Sequence, residues 1–149
     1  MFEPRPRISR QHTSPAAQRV VDGLRAPRMI EHQTLLSIRA IVALRLLAVC
    51  GKTANEPLPL LTQRFASVTA AKAFIAFANL VGRFWPEPIT VMRPCCRLLS
   101  ADEQTLTQLI NAAANADRDG FAGVLDGFVR RDRQDHLFEQ AKLMVALIS

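Results

Sequence analysis

Residues 94–103 read Pro-Cys-Cys-Arg-Leu-Leu-Ser-Ala-Asp-Glu and contain the clearest helix start in the chain. Ser100 followed three positions later by Glu103 is typical of a capping box, in which each side chain accepts the other residue's backbone N–H. The next apolar residues recur at the spacing of one helix face, namely Leu106, Leu109, Ile110 and Ala113. The pattern predicts a helix over residues 100–116 and places Cys95 and Cys96 just outside it, on the incoming segment.

Further helices are predicted on both sides of this start. The runs 34–50 and 67–85 are apolar on more than one face, which predicts that both lie in the middle of the fold. Gly51 is expected to end the first of them. Shorter patterns predict helices that cover this pair, together with one short helix near residues 60–65; the covering helices are 100–116, 121–131 and 135–148, the last capped by Asp132 or Asp135.

The sequence therefore predicts an all-α fold, with five or six helices in a single compact helical domain over residues 14–149. Residues 1–13 combine proline and arginine with almost nothing to bury, so we expect a flexible, disordered basic arm that is dispensable for folding. A short helix from Ser14 that ends before Pro27 is expected to dock on the domain. Residues 89–92 are β-prone but have no evident partner strand, which favours an extended connector.

The basic charge is concentrated in the first half of the chain. The net charge is +6, and residues 1–66 carry ten Lys or Arg against four Asp or Glu. Such a balance is typical of proteins that bind nucleic acid or an anionic surface, although a solvated basic tail explains it more simply. The candidate anion contacts are Arg5, Arg7 and Arg10.

Several common chemistries do not fit the motifs. Gly51-Lys52-Thr53 lacks the upstream glycine and the preceding strand of a phosphate-binding loop. Asp117-Arg118-Asp119-Gly120 is predicted to form a turn, and phenylalanines occupy later positions where a calcium loop needs acids. No serine lies in the glycine frame of a nucleophile elbow. We therefore predict no enzyme, no catalytic residue, no metal ligand and no cofactor. The apolar run before Gly51 is too short for a membrane span and contains two arginines.

The three cysteines are too few for a disulfide framework and favour a reducing cytoplasm. Cys95 and Cys96 are adjacent, a spacing at which two sulfurs chelate one metal ion poorly. Cys50 and His136 would complete a metal site only if the fold brought them close. Arg93 and Arg97 flank the pair and would favour a reactive thiolate. The simplest interpretation is that Cys95 and Cys96 are two partly buried residues of a loop.

The approach from Ile89 through Pro94-Cys95-Cys96 to the Ser-Ala-Asp-Glu cap resembles a family of uncharacterised alphaproteobacterial helical proteins. In that family an apolar helical half precedes a Pro-Cys-Cys segment and an acidic-capped helix. The likeness covers residues 35–115. It implies a bacterial, cytoplasmic, helical protein, and it implies no activity and no functional residue.

Three functions are compatible with these observations. The first is a small non-catalytic interaction or regulatory protein with an unknown protein partner. The second is a nucleic-acid-associated protein that uses the Arg-rich N-terminal half. The third is a metal-binding or thiol redox protein centred on Cys95 and Cys96, with Arg93 and Arg97 beside them. The oligomeric state does not follow from the sequence.

Overall fold

The computed structural model describes residues 28–149, and the expectations for the arm and for the helix after Ser14 lie outside this range. Within it the fold is all-α, as predicted, and contains no β-strand. A 3-10 turn, Ile30–His32, is followed by α1 (Leu35–Thr53), α2 (Pro57–Phe65), α3 (Val68–Phe84), α4 (Ala101–Ala114), α5 (Arg118–Leu125) and α6 (Arg131–Ile148). These six α-helices share one hydrophobic core.

Local capping explains where most of these helices begin. The predicted capping box of α4 is present, because Glu103 N donates to Ser100 Oγ at 3.0 Å and Ser100 N donates to Glu103 Oε2 at 2.9 Å. Ser67 Oγ accepts the N–H of Ala70 at the start of α3, and Thr34 Oγ1 accepts the N–H of Ser37 at the start of α1. Each cap satisfies a backbone donor that the first helical turn leaves without a partner.

Several predicted helix boundaries were wrong, among them the end of the helix expected over residues 121–131, which stops at Leu125. Helix α1 continues through Gly51 to Thr53, and Ala54 provides the left-handed residue after it. The predicted turn at Asp117 is the start of α5, where Asp117 Oδ1 accepts the N–H of Gly120. Helix α6 begins directly after Arg130 without a side-chain cap, so neither Asp132 nor Asp135 caps it. At this corner Gln134 Nε2 instead donates to the carbonyl of Val129 at 2.8 Å.

The last helix, α6, is the one against which most of the other helices in the described part of the fold pack. It contacts α1, α3, α4 and α5, and Leu137, Ala141 and Met144 on it are fully buried. Helix α3 is buried on two faces, as predicted, but α1 is not buried all round. It contacts α2, α4 and α6, and it exposes Leu35 and Val49.

Candidate functional site: the arginine-anchored connector

Residues 85–100, here called the connector, join α3 to α4 and carry the cysteine pair. They form no helix or strand, so residues 89–92 belong to a connector, as expected, and not to a β-strand. One isolated antiparallel bridge joins Leu98 to Met29. An irregular segment of this length needs partners for its backbone groups, and the side chains of α1 and α4 provide them.

A buried ion pair lies beneath the connector. Arg45 of α1 is 1% exposed and Glu103 of α4 is fully buried. Arg45 Nε donates to Glu103 Oε1 at 2.8 Å, and Arg45 Nη2 donates to Glu103 Oε2 at 3.0 Å. This bidentate geometry matches the planar fork of a guanidinium to the two oxygens of a carboxylate. The pair therefore joins the middle of α1 to the first turn of α4.

The same two side chains also hold the connector backbone. Arg45 Nη1 donates to the carbonyl of Cys96 at 2.5 Å, and Nη2 donates to the carbonyl of Leu98 at 2.9 Å. Glu103 Oε1 accepts the N–H of Met92 at 3.2 Å. Within residues 28–149 no buried side-chain nitrogen or oxygen lacks a hydrogen-bond partner. The charges that folding removed from water are thus satisfied by each other and by the connector.

Asp102, the neighbour of Glu103, fixes the first half of the connector. Its Oδ1 accepts the indole Nε1–H of Trp85 at 3.1 Å, and its Oδ2 accepts the N–H of Thr90 at 2.7 Å. Ser100 Oγ donates to the carbonyl of Thr90 at 2.6 Å. The first turn of α4 therefore caps its own helix and also orders the segment that approaches it.

A shallow cleft of about 330 Å³ lies beside this segment. Trp85 meets Phe128 edge-on in it, with ring centroids 5.1 Å apart, and Phe128 is exposed. Pro86 and Pro88 form another part of the wall. The half-buried Trp85 and the exposed Phe128 offer aromatic contact area at a low entropic cost, and aromatic residues are enriched in protein-binding surfaces.

The cysteines lie on a tight turn at the outer side of the connector. Cys96 N donates to the carbonyl of Arg93 at 3.0 Å, so Pro94 and Cys95 are the two central residues of the turn. Cys95 is exposed and Cys96 is half-buried, whereas Cys50 is buried near the end of α1. All three are free thiols. The structure thus places Cys95 where a reagent in water would meet it.

Arg93 and Arg97 are both exposed beside the cysteines. Arg97 forms an ion pair with Glu31 of the 3-10 turn, and its hydrogen bond lowers the pKa of the Glu31 carboxyl below the ordinary value. The first described residues run along the connector as well. Ile30 N donates to the carbonyl of Arg97 at 2.8 Å, and Leu99 N donates to the carbonyl of Arg28 at 2.9 Å. Arg5, Arg7 and Arg10 lie outside the described residues.

The structure does not bring a metal-binding set together around the cysteines. Among residues 28–149 no three His, Cys, Asp or Glu side chains are close enough to hold one ion. His136 packs edge-on against Phe84, with ring centroids 6.0 Å apart. Neither Cys50 nor His136 therefore completes a site with Cys95 and Cys96.

The anchoring role of Arg45 and Glu103 was not predicted from the sequence. Arg45 was interpreted as an interruption of an apolar helix, and Glu103 only as one half of the capping box. One signal was present, because an arginine among apolar residues that are to be buried requires a negative partner. That partner lies 58 residues further along the chain, and nothing in the local pattern identifies it.

Comparisons with known proteins identify no relative of this chain. No protein-family model matches the chain, and neither the curated proteins nor the solved structures include a match. Among the helices at residues 28–149, none has both the length and the hydropathy needed for a membrane span.

Proposed function

We propose that this chain is a small non-catalytic helical interaction protein whose partner binds the surface formed by the connector. The observation that supports the proposal is the buried Arg45–Glu103 pair, which fixes an irregular and exposed segment from beneath. Loops that a rigid scaffold holds in place are common sites of recognition. The proposed surface comprises the turn at residues 93–96, Arg97, and the cleft between Trp85 and Phe128.

The energetics of the pair support this interpretation. A buried ion pair adds little stability compared with apolar side chains of similar volume, because both charges lose their hydration. Apolar residues at positions 45 and 103 would serve the core equally well, but they would not hold the backbone of Cys96, Leu98 and Met92. We infer that the pair is kept for the conformation of the connector.

Site-specific photo-crosslinking in cells of the source organism tests the proposal. A benzophenone amino acid replaces Phe128 in the cleft, and a control carries it at Leu143, an exposed position on α6. We expect one discrete crosslinked partner from position 128, none from position 143, and loss of the product when Arg93→Glu is added. Crosslinks from position 143 alone, or products that persist in Arg93→Glu, would contradict the proposal.

A second candidate function is association with nucleic acid. It is favoured by the place where the Arg-rich N-terminal segment joins the described chain, since Arg28 lies alongside the connector that carries Arg93 and Arg97. The backbones of Arg28 and Arg97, from two parts of the sequence, therefore run side by side. Arg45 does not contribute to such a surface, because its charge is buried and paired with Glu103.

Fluorescence anisotropy with labelled DNA and RNA over a salt series tests this candidate. Removing two phosphate contacts by Arg93→Ala and Arg97→Ala would reduce the salt slope by about 2, while Arg64→Ala, an exposed arginine of α2, would leave it unchanged. Absence of binding by the full chain at low salt would end the hypothesis.

We also propose a reducing, cytoplasmic setting and a bacterial source. The three free cysteines support the reducing compartment, since an exposed free thiol such as Cys95 is oxidised or paired in secreted proteins. Thiol labelling of intact and of lysed cells checks this, with Cys95 expected to be reduced in the cell. A Cys95 found oxidised in untreated cells would contradict it.

A further inference from the structure

The cysteine pair and the buried ion pair are joined through one atom, the carbonyl oxygen of Cys96. This oxygen accepts a hydrogen bond from Arg45 Nη1 at 2.5 Å, while the side chain of the same residue is half-buried next to the exposed Cys95. Any reaction that rotates the peptide group after Cys96, or moves Cys96 itself, therefore acts on the guanidinium in the core. Neither a packing role nor a metal-binding role of the cysteines accounts for this link between Cys96 and Arg45.

Bonding the two sulfurs requires such a movement. A disulfide usually needs Cα atoms about 4.4–6.8 Å apart, whereas neighbours joined by a trans peptide are about 3.8 Å apart. Cys95 and Cys96 are joined by a trans peptide. Closing the small ring therefore twists the backbone around this peptide. The Cys96 N–H that closes the turn on Arg93 and the Cys96 carbonyl on Arg45 are the groups that would have to shift.

We propose that Cys95 and Cys96 form a vicinal disulfide by exchange with a low-molecular-weight disulfide, and that the ring releases the connector from Arg45. The Cys95 thiolate attacks one sulfur of the small disulfide, forms a mixed disulfide and expels the first thiolate. The Cys96 thiolate then attacks Cys95 Sγ and expels the second. The protons lost by the two cysteines go to the two leaving thiolates, and the small disulfide receives both electrons.

The consequence is a looser connector in the oxidised protein. Without the Cys96 carbonyl, Arg45 keeps Glu103 and the carbonyl of Leu98, so the ion pair itself survives. The backbone of residues 89–97 loses one of its two hydrogen bonds to the buried Arg45–Glu103 pair and opens more often. The disulfide forms whether or not the connector binds a partner, so this inference is independent of the proposed function.

Hydrogen exchange with mass spectrometry tests the inference on the full chain. The protein is equilibrated with mixtures of reduced and oxidised glutathione, and peptide mapping locates the modified cysteines. We expect a product lighter by two hydrogen atoms, with a Cys95–Cys96 bond and with exchange in residues 89–100 about tenfold faster, the factor for one lost hydrogen bond to a charged group. Exchange in α6 stays the same.

Two outcomes would overturn it. One is a glutathione adduct that persists on Cys95 while Cys96 stays a free thiol, since the ring then does not close. The other is a Cys95–Cys96 disulfide with unchanged exchange in the connector. The single variants Cys95→Ser and Cys96→Ser are the controls, because neither can close the ring and both should exchange like the reduced protein under oxidising conditions.

Arg45→Lys provides an independent measurement of the coupling between disulfide formation and the hydrogen bond from Arg45 to the Cys96 carbonyl. Lysine keeps a positive charge for Glu103 but cannot hold the Cys96 and Leu98 carbonyls with the same fork. Ring closure in this variant no longer breaks the hydrogen bond, so its equilibrium constant against glutathione should rise about tenfold. An equal constant in a folded Arg45→Lys protein would overturn the coupling. If the variant does not fold, the exchange measurement on the unsubstituted chain decides alone.

Discussion

Arg45 shows how one side chain can determine the conformation of a distant segment. Its guanidinium has lost its hydration, and it donates hydrogen bonds instead to the carboxylate of Glu103 and the carbonyls of Cys96 and Leu98. Lysine could not reproduce this arrangement, because an ammonium is a point charge without a planar fork. The connector is therefore ordered by a residue of α1 that does not neighbour it in sequence.

Replacing one member of the Arg45–Glu103 pair should destabilise the protein strongly, and replacing both members should destabilise it less. We expect Arg45→Met or Glu103→Leu alone to lower the free energy of unfolding by about 3–5 kcal/mol, because each leaves a buried charge without its partner. The double variant Arg45→Met/Glu103→Leu should lose less than either single variant, because no unpaired charge is then left in the core. Urea denaturation measures all four proteins, and simple additivity would contradict the expectation.

The Arg97–Glu31 pair should behave differently because both side chains are exposed. The hydrogen bond from Arg97 lowers the pKa of Glu31 below its ordinary value of 4.5. Its contribution to stability is therefore complete above pH 4.5 and is lost as the pH falls through the lower folded-state pKa. The effect is small, because water and salt screen an exposed pair.

An NMR titration of the Glu31 carboxyl checks this assignment. Arg97→Ala should raise the pKa of Glu31 towards 4.5, while Arg93→Ala, which removes another exposed arginine of the connector, should leave it unchanged. If the pKa of Glu31 stayed low in Arg97→Ala, its backbone hydrogen bond would be the dominant cause.

At the scale of single helices, the C-terminal ends depart furthest from what the sequence predicts. Ala54, Ala66 and Ala116 have φ near +50°, the left-handed conformation that glycine usually adopts after a helix. Alanine adopts it at a cost, because its Cβ approaches the following carbonyl. A glycine would have indicated the helix end at these three positions, but alanine occupies all of them. Gly51, which does suggest a helix end, lies inside α1.

Replacing one of these alanines should stabilise the protein. We expect Ala54→Gly to raise the free energy of unfolding by about 0.5–1 kcal/mol, since relief of the left-handed strain exceeds the extra flexibility of the unfolded chain. Ala76→Gly, at an exposed position inside α3, should lower it by about 0.5–1 kcal/mol. Thermal unfolding of both variants provides the measurement, and a loss of stability in Ala54→Gly would contradict the strain argument.

Sequence patterns predicted the features of these elements that depend on nearby residues. The capping box at Ser100 and Glu103 lies within four residues and was confirmed. The cap of α3 at Ser67 is equally local. The start of α6 was wrong because two acids near it suggested a cap, while the structure holds this corner through Gln134 and the carbonyl of Val129. Such a bond to a preceding loop leaves no periodic signal.

At the scale of the whole molecule, the order of burial reversed the expectation from composition. Helix α1 is largely apolar in sequence yet exposes Leu35 by 73%, while α6 begins with a charged run and is the helix against which most of the others pack. Burial depends on how many neighbours a helix meets, and α6 meets α1, α3, α4 and α5. The cysteine turn could be placed from local signals, but its anchor required knowledge of how α1 and α4 pack.

The central position of α6 leads to a prediction for two adjacent residues. Met144 is fully buried and Leu143 is 52% exposed, so the same helix turn provides both a core position and its control. Met144→Ala should lower the free energy of unfolding by about 2–5 kcal/mol through the lost apolar burial and the cavity left between the helices. Leu143→Ala should change it by about 0.5 kcal/mol or less, as is usual for surface positions. Denaturant unfolding followed by circular dichroism measures both, and similar losses for the two variants would show that α6 is not the helix around which the others pack.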